Sequence, residues 1–201
     1  MDTSDSIPIE ETLDALGELV KQGKVRQIGL SNETPWGTMK YLELSETRSL
    51  PRVASIQNAY NLVNRGFEIG LSEIAMQEQV GLLAYSPLAQ GTLTGKYLDG
   101  QIPQGSRMAL FGDGPLMMRY KGEKTQKAIE MYVDIAKKFE IDPTQLAIQF
   151  CNIQPFVTSN IIGATTMEQL KICIDSIHVD LNKEIMNEIR KVHKELPNPA
   201  P

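Results

Sequence analysis

Polar residues collect at four places where short apolar runs stop. The run at 25–30 ends in Ser31-Asn32, that at 53–57 in Gln57-Asn58, that at 80–85 in Tyr85-Ser86-Pro87, and that at 156–162 in Gly163-Ala164-Thr165. The third place is the richest. Val80, Leu82, Leu83 and Ala84 have the length and composition of a buried strand. Pro87 stops it, since proline cannot donate to a ladder and restricts the residue before it. Gly91, Gly95 and Lys96 follow at once. Amides, hydroxyls, glycines and a lysine are groups that hold a polar ligand. In parallel α/β folds ligands sit at this end of the strands.

The elements needed to position these groups are legible in the pattern. Ile9, Leu13, Leu16 and Val20 fall on one helical face, with Pro8 suited to the first turn and Gly23 to the stop. A second helix starts near Pro35 and carries Trp36, Met39, Leu42 and Leu44; a third carries Phe67, Leu71, Ile74 and Ala75. Strands starting at 25, 53 and 80 give a repeat of about 27 residues, which suits βαβ units. Residues 86–122 break the rhythm and read as one long loop leaving a ligand-side strand end, a candidate lid. Beyond it, Ala128, Met131, Tyr132, Ile135, Ala136 and Phe139 share a helical face. Asp142-Pro143 caps and starts a helix with Leu146, Ala147, Phe150 and Cys151. Thr166 and Gln169 have capping-box spacing. A final helix from Asn182 sets Ile185, Ile189 and Val192 together, and the terminal PNPAP reads as a poorly ordered end.

Four strands alternating with helices imply a parallel sheet. Half of a (β/α)8 barrel, which typically takes about 250 residues when whole, is favoured by polar residues at all four strand ends. An open four-stranded α/β sheet is the alternative.

Composition narrows the function. With 201 residues, 41% apolar, the chain fits one domain with a real core. Its net charge of −5 argues against a nucleic-acid partner. Cys151 and Cys173 make neither metal spacing nor a disulfide framework and read as buried free thiols, and no metal is expected. No run approaches the ~20 apolar residues of a membrane span, and the acidic start MDTSDSIP is neither signal nor transit peptide. The expected setting is cytoplasmic. GTLTGK is not a Walker A loop, having three residues between its glycines and Tyr97 after Lys96, and no GxGxxG follows a strand.

With GKVRQIGLSNET, SIQNAYNLVNR, LLAYSPLAQGTLTGKY and IIGATTMEQL in this order, the chain resembles the aldo-keto reductase superfamily from about residue 7 to 201. It is similar to the branch holding the bacterial Tas-like reductases and the β subunits of voltage-gated potassium channels. The resemblance implies a (β/α)8 TIM barrel, of which these residues cover about the C-terminal half, and NADP(H) laid across its C-terminal mouth. By that likeness Ser31, Asn32 and Gln57 meet the nicotinamide carboxamide, whose donor and acceptor their side chains complement. Tyr85 lies against the ring. Ser86, Leu88, Gly91 and Lys96 line the pyrophosphate, and Arg107 reaches toward the phosphates. Gly163, Thr165 and Gln169 hold the adenosine end at a helix N-terminus. Ile172 and Cys173 stand where the family often has polar groups for the adenine.

The reaction implied is reduction of aldehydes or ketones by hydride transfer, with a small-molecule carbonyl substrate. The family's acid set of Asp, Tyr, Lys and His belongs to earlier strands than those read here, and a phenol of pKa ~10 needs such neighbours to work near neutral pH. No catalytic residue is therefore assigned, and the chain is expected to be inactive alone. His178 and His193 read as surface or helix-packing residues. The competing reading is a non-catalytic half-barrel that self-associates through open barrel edges or serves as a nucleotide-sensing partner subunit.

Overall fold

A computed structural model describes residues 7–112 and 114–201, so the first six residues of the acidic N-terminal stretch lie outside it. At its centre a parallel sheet joins β1 (Ile28–Ser31), β2 (Val53–Ala59), β3 (Gly81–Tyr85) and β4 (Val157–Asn160), in that spatial order. The helices are α1 (Ile9–Lys21), α2 (Pro35–Thr47), α3 (Leu71–Gln77), α4 (Arg107–Phe111), α5 (Pro115–Met118), α6 (Glu123–Lys138), α7 (Pro143–Asn152), α8 (Met167–Asp175) and α9 (Lys183–Glu195). Most α-helices begin where a side chain can cap them. Thr34, Ser106, Asp142, Thr166 and Asn182 each accept a hydrogen bond from a first-turn amide, answering donors the helix itself cannot pair. β1 starts three residues later than the apolar run suggested. The Lys24 and Val25 amides turn back to the Leu19 carbonyl and finish α1, so they cannot enter the ladder.

The two faces of the sheet differ in chemistry. Ile28, Leu30, Val53, Ile56, Leu82 and Ala84 are buried, and α2, α3 and α7 pack on the sheet. On the other face Gly29 stands opposite Ser55, and Ser55 opposite Gly81. A Cβ on Gly29 would meet the Ser55 hydroxyl, and one on Gly81 would collide with Thr158 Oγ1. Glycine thus alternates with a hydroxyl residue across four strands, and the hydroxyls lie over the glycine positions. This face is small and polar at that level, and Leu83 joins it opposite Gln57 nearer the strand ends.

Two expectations need correction. Residues 86–122 are not one structureless loop: they form 3-10 turns at Ala89–Thr94 and Leu98–Gly100, then α4 and α5. Buried Leu93, Tyr97, Met117 and Tyr120 anchor them. The anchors are too far apart, and the pieces too short, for any period to show. Nor is the PNPAP end loose. The Arg65 amide donates to Asn198 Oδ1 (2.7 Å), Thr125 Oγ1 to the Pro199 carbonyl (2.8 Å) and the Ala200 amide to the Val63 carbonyl (3.1 Å). Its polar atoms find partners on two segments distant in sequence, residues 63–65 and Thr125, which no local pattern reveals. Deleting residues 197–201 is expected to cost about 2–3 kcal/mol, near one per hydrogen bond lost. Urea denaturation with a lowered midpoint and unchanged slope checks this; an unmoved midpoint would refute it.

Candidate functional site

All four strands run parallel, so their C-terminal ends share one side of the sheet. There the turns after the strands use left-handed backbone: Asn32 has φ +54°, Ser86 +55°, Ala89 +48°, Gln90 +59° and Gly91 +91°. Non-glycine residues adopt such angles at a cost and persist in them only when other contacts fix them.

Those contacts form two adjoining groups. In the first, the Tyr85 hydroxyl donates to Asn32 Oδ1 (2.8 Å) and Asn32 Nδ2 donates to Ser31 Oγ (3.2 Å). The Asn32 amide is held by the Gln57 carbonyl (3.0 Å) and by Asn58 Oδ1 (2.8 Å). Ser31 pairs in register with Gln57. The strand-end polar residues of β1, β2 and β3 are thus tied together.

The second group surrounds a cleft of about 910 Å³. Ser86, Leu88, Gly91, Lys96, Arg107, Gly163, Thr165 and Gln169 all line it. Ser86 joins the two groups, being covalently next to Tyr85. Lys96 lies across Gly91, where a Cβ would stand 3.2 Å from its Nζ, so the bare glycine leaves room for the ammonium. Arg107, at the start of α4, donates from Nη1 to Gln90 Oε1 (2.6 Å), and Gln90 Nε2 donates to Ser86 Oγ (3.0 Å). Gln169 Oε1 accepts from the Thr165 amide and hydroxyl, while the Gln169 amide donates to Thr166 Oγ1. The capping box is therefore displaced by one residue: the side chain reaches back to Thr165 instead of Thr166.

Charge gives the cleft its character. The chain is net negative, yet the described residues lining the cleft include Lys96 and Arg107 and no carboxylate. Two cations, backbone at glycine and the amide end of α8 on the rim suit a ligand carrying several negative charges. Apolar Ile162, Ile172 and the buried Cys173 offer one part of it an apolar wall. A dinucleotide has both parts, so the residues present fit one.

Sequence reasoning marks Asn58 as a polar strand-end residue without giving it a role, and it does not single out Gln90 or Thr144. Gln90 acts through a left-handed turn, and Thr144 enters the cleft from α7, for which the sequence offered no sign. The histidines stay out of the cleft: His178 is exposed, and His193 lies half-buried on α9. Both cysteines are free and buried, and burial pushes the Cys151 thiol far above its ordinary range. No helix among the described residues is long and apolar enough to cross a membrane.

A sequence model of the aldo/keto reductase family matches residues 2–194. The chain is 50% identical over 200 residues to Protein tas of Escherichia coli K12, covering 100% of this chain and 57% of that protein. It is 39% identical over 181 residues to an aldo-keto reductase of Babesia bovis, covering 88% of this chain and 62% of that one. It is 34% identical over 177 residues to the L-glyceraldehyde 3-phosphate reductase of E. coli K12, covering 87% and 51%. The chain thus spans between half and two thirds of the length of these relatives.

Proposed function

The chain belongs to the aldo/keto reductase family, and on that premise we propose that residues 1–201 form the nucleotide-holding part of an NADPH-dependent carbonyl reductase. One observation carries the reading: in an acidic chain, the described residues that line the cleft at the strand ends include two cations and no carboxylate. Lys96 and Arg107 would meet the phosphates, Gly91 would let the backbone approach them, and Gly163, Thr165 and Gln169 would face the adenosine end. Ser31, Asn32 and Gln57 would hold the carboxamide. Tyr85, tethered by its hydroxyl to Asn32, would present a fixed ring face to the nicotinamide. Bound NADPH supplies a hydride. These residues bind and orient, and none of them is assigned as the proton donor. The reductase's acid would come from outside the 201 residues, so the polypeptide alone should reduce no aldehyde or ketone.

Titration with NADPH, followed by its own fluorescence, tests this. The expected result is saturable binding that weakens with salt, because exposed charges are screened. Arg107→Ala and Lys96→Ala should each raise the dissociation constant about tenfold, the worth of one charge-assisted hydrogen bond. No saturable signal, or unchanged binding in the double variant, would overturn the reading. Steady NADPH oxidation with a carbonyl substrate would overturn the inactivity alone.

A second reading is favoured by the edge strands β1 and β4, whose outer backbone groups can pair with another strand. It makes the chain a self-associating scaffold. Sizing at two protein concentrations separates the two: association that NADPH leaves untouched, without nucleotide binding, favours the scaffold.

A further inference from the structure

We propose that Asn61 is a positioning residue for the nucleotide cleft, holding Ser86 in its left-handed conformation from inside the core. The inference rests on the nucleotide reading above. Asn61 is fully buried, at 0% exposure. Its Oδ1 accepts from the Val63 (3.0 Å) and Asn64 (2.9 Å) amides, closing the turn after β2. Its Nδ2 donates to the Ser86 carbonyl (3.0 Å), 25 residues away. The neighbouring Tyr60 amide donates to the Tyr85 carbonyl (3.3 Å), so residues 60–61 hold both carbonyls of the strand corner.

The tether has a direct path to the cleft rim. Ser86 has φ +55° without being glycine, a conformation that needs external support. Once Ser86 is fixed, its Oγ accepts from Gln90, and Gln90 accepts from Arg107. Asn61, Ser86, Gln90 and Arg107 make one chain of contacts from core to rim. Asn61 does not itself line the cleft and meets it only through Ser86. Its effect on the ligand passes through Ser86.

The amide group permits a selective test. Asn61→Asp keeps both acceptor functions and nearly the same volume, but sets an oxygen against the Ser86 carbonyl in place of a donor. Asn61→Ser keeps an acceptor for the turn and is too short to reach Ser86; it serves if the carboxylate prevents folding. Each variant is expected to raise the NADPH dissociation constant at least about tenfold, measured where circular dichroism shows it fully folded. Ile189→Ala, a core change on α9, should lose more stability yet bind as the unaltered chain does. Lowering the pH should restore affinity to Asn61→Asp and not to Asn61→Ser, because a protonated carboxyl can again donate to Ser86. Binding within twofold in both variants, with the unaltered chain binding NADPH, overturns this inference alone. An unaltered chain with no saturable signal overturns the nucleotide reading and this inference with it.

Discussion

Phe150→Ala should lower the unfolding free energy by about 3–5 kcal/mol, among the largest losses a single substitution can cause here. Phe150 is 1% exposed on α7. Its ring stacks on Tyr60 (centroids 5.8 Å apart), which meets Phe156 edge-on (5.3 Å), which in turn leans on Phe67 (5.5 Å). The Arg65 guanidinium stands 5.2 Å from the Phe150 ring centroid. Truncation therefore removes buried area, one end of an aromatic row and a cation's partner, and leaves a cavity. At roughly 2–4 °C per kcal/mol for a chain of this size, the thermal midpoint should fall by about 6–20 °C. Phe111→Ala, at an exposed site on α4, should stay within about 0.5 kcal/mol. A Phe150→Ala chain that unfolds within 1 kcal/mol of the original would refute the packing argument. Because Tyr60 also holds the Tyr85 carbonyl, the variant should weaken the strand corner along with the core.

What could be read in advance was periodic or local. Strands and most long helices declared themselves through the spacing of apolar residues and through Pro35, Asp142-Pro143 and Asn182. The candidate site residues could be grouped in advance because parallel strands bring their ends together however far apart they lie in sequence. Legibility failed where a side chain works at long range or in irregular backbone. Gln90 matters through a left-handed turn and two partners, 4 and 17 residues away. Asn198 matters through an amide 133 residues away. Neither leaves a periodic trace. The helix expected around Phe67 and Leu71 is in fact a 3-10 turn, Gly66–Glu68, and then α3, separated at Gly70 with φ +86°. A positive φ cannot continue a right-handed helix, and the glycine was the available clue. Trp36 on α2, read for its apolar character, is 72% exposed. A single apolar residue at a surface needs no special account.

Glu68→Ala is the second large effect, and its physics differs from cavity formation. The Glu68 carboxylate accepts from Arg65 Nε (2.6 Å) and Nη2 (2.8 Å) and from the Tyr60 hydroxyl (2.6 Å). The Arg65 and Glu68 side chains are 14% and 28% exposed, so water cannot substitute fully. Removing the carboxylate strands a largely buried guanidinium and a buried phenol, at a cost of about 3 kcal/mol, the low end for a buried pair because Glu68 is partly wet. Glu68→Gln, which keeps one acceptor oxygen for Arg65 Nε and the Tyr60 hydroxyl but sets an amide donor against Arg65 Nη2, should cost less than Glu68→Ala. Burial by itself would raise the Glu68 pKa; the bonds from Arg65 and Tyr60 and the Arg65 charge outweigh it and hold the carboxyl below its ordinary value of 4.5. A carboxyl depressed in the folded state adds stability that is complete above the unfolded value and lost as pH falls through the lower folded one. Stability of the unaltered chain should therefore drop on acidification below about pH 4.5 more steeply than that of Glu68→Gln, measured as urea midpoints at several pH values. Equal slopes would show that Glu68 is not held as described. His193 supplies an independent readout. Burial and the Arg65 charge push its pKa below the ordinary imidazole range while Glu68 pulls it upward, so Glu68→Ala should lower it further, visible in the proton resonance of its ring. A His193 titration left unmoved in that variant would mean that the ring does not feel the Arg65–Glu68 pair.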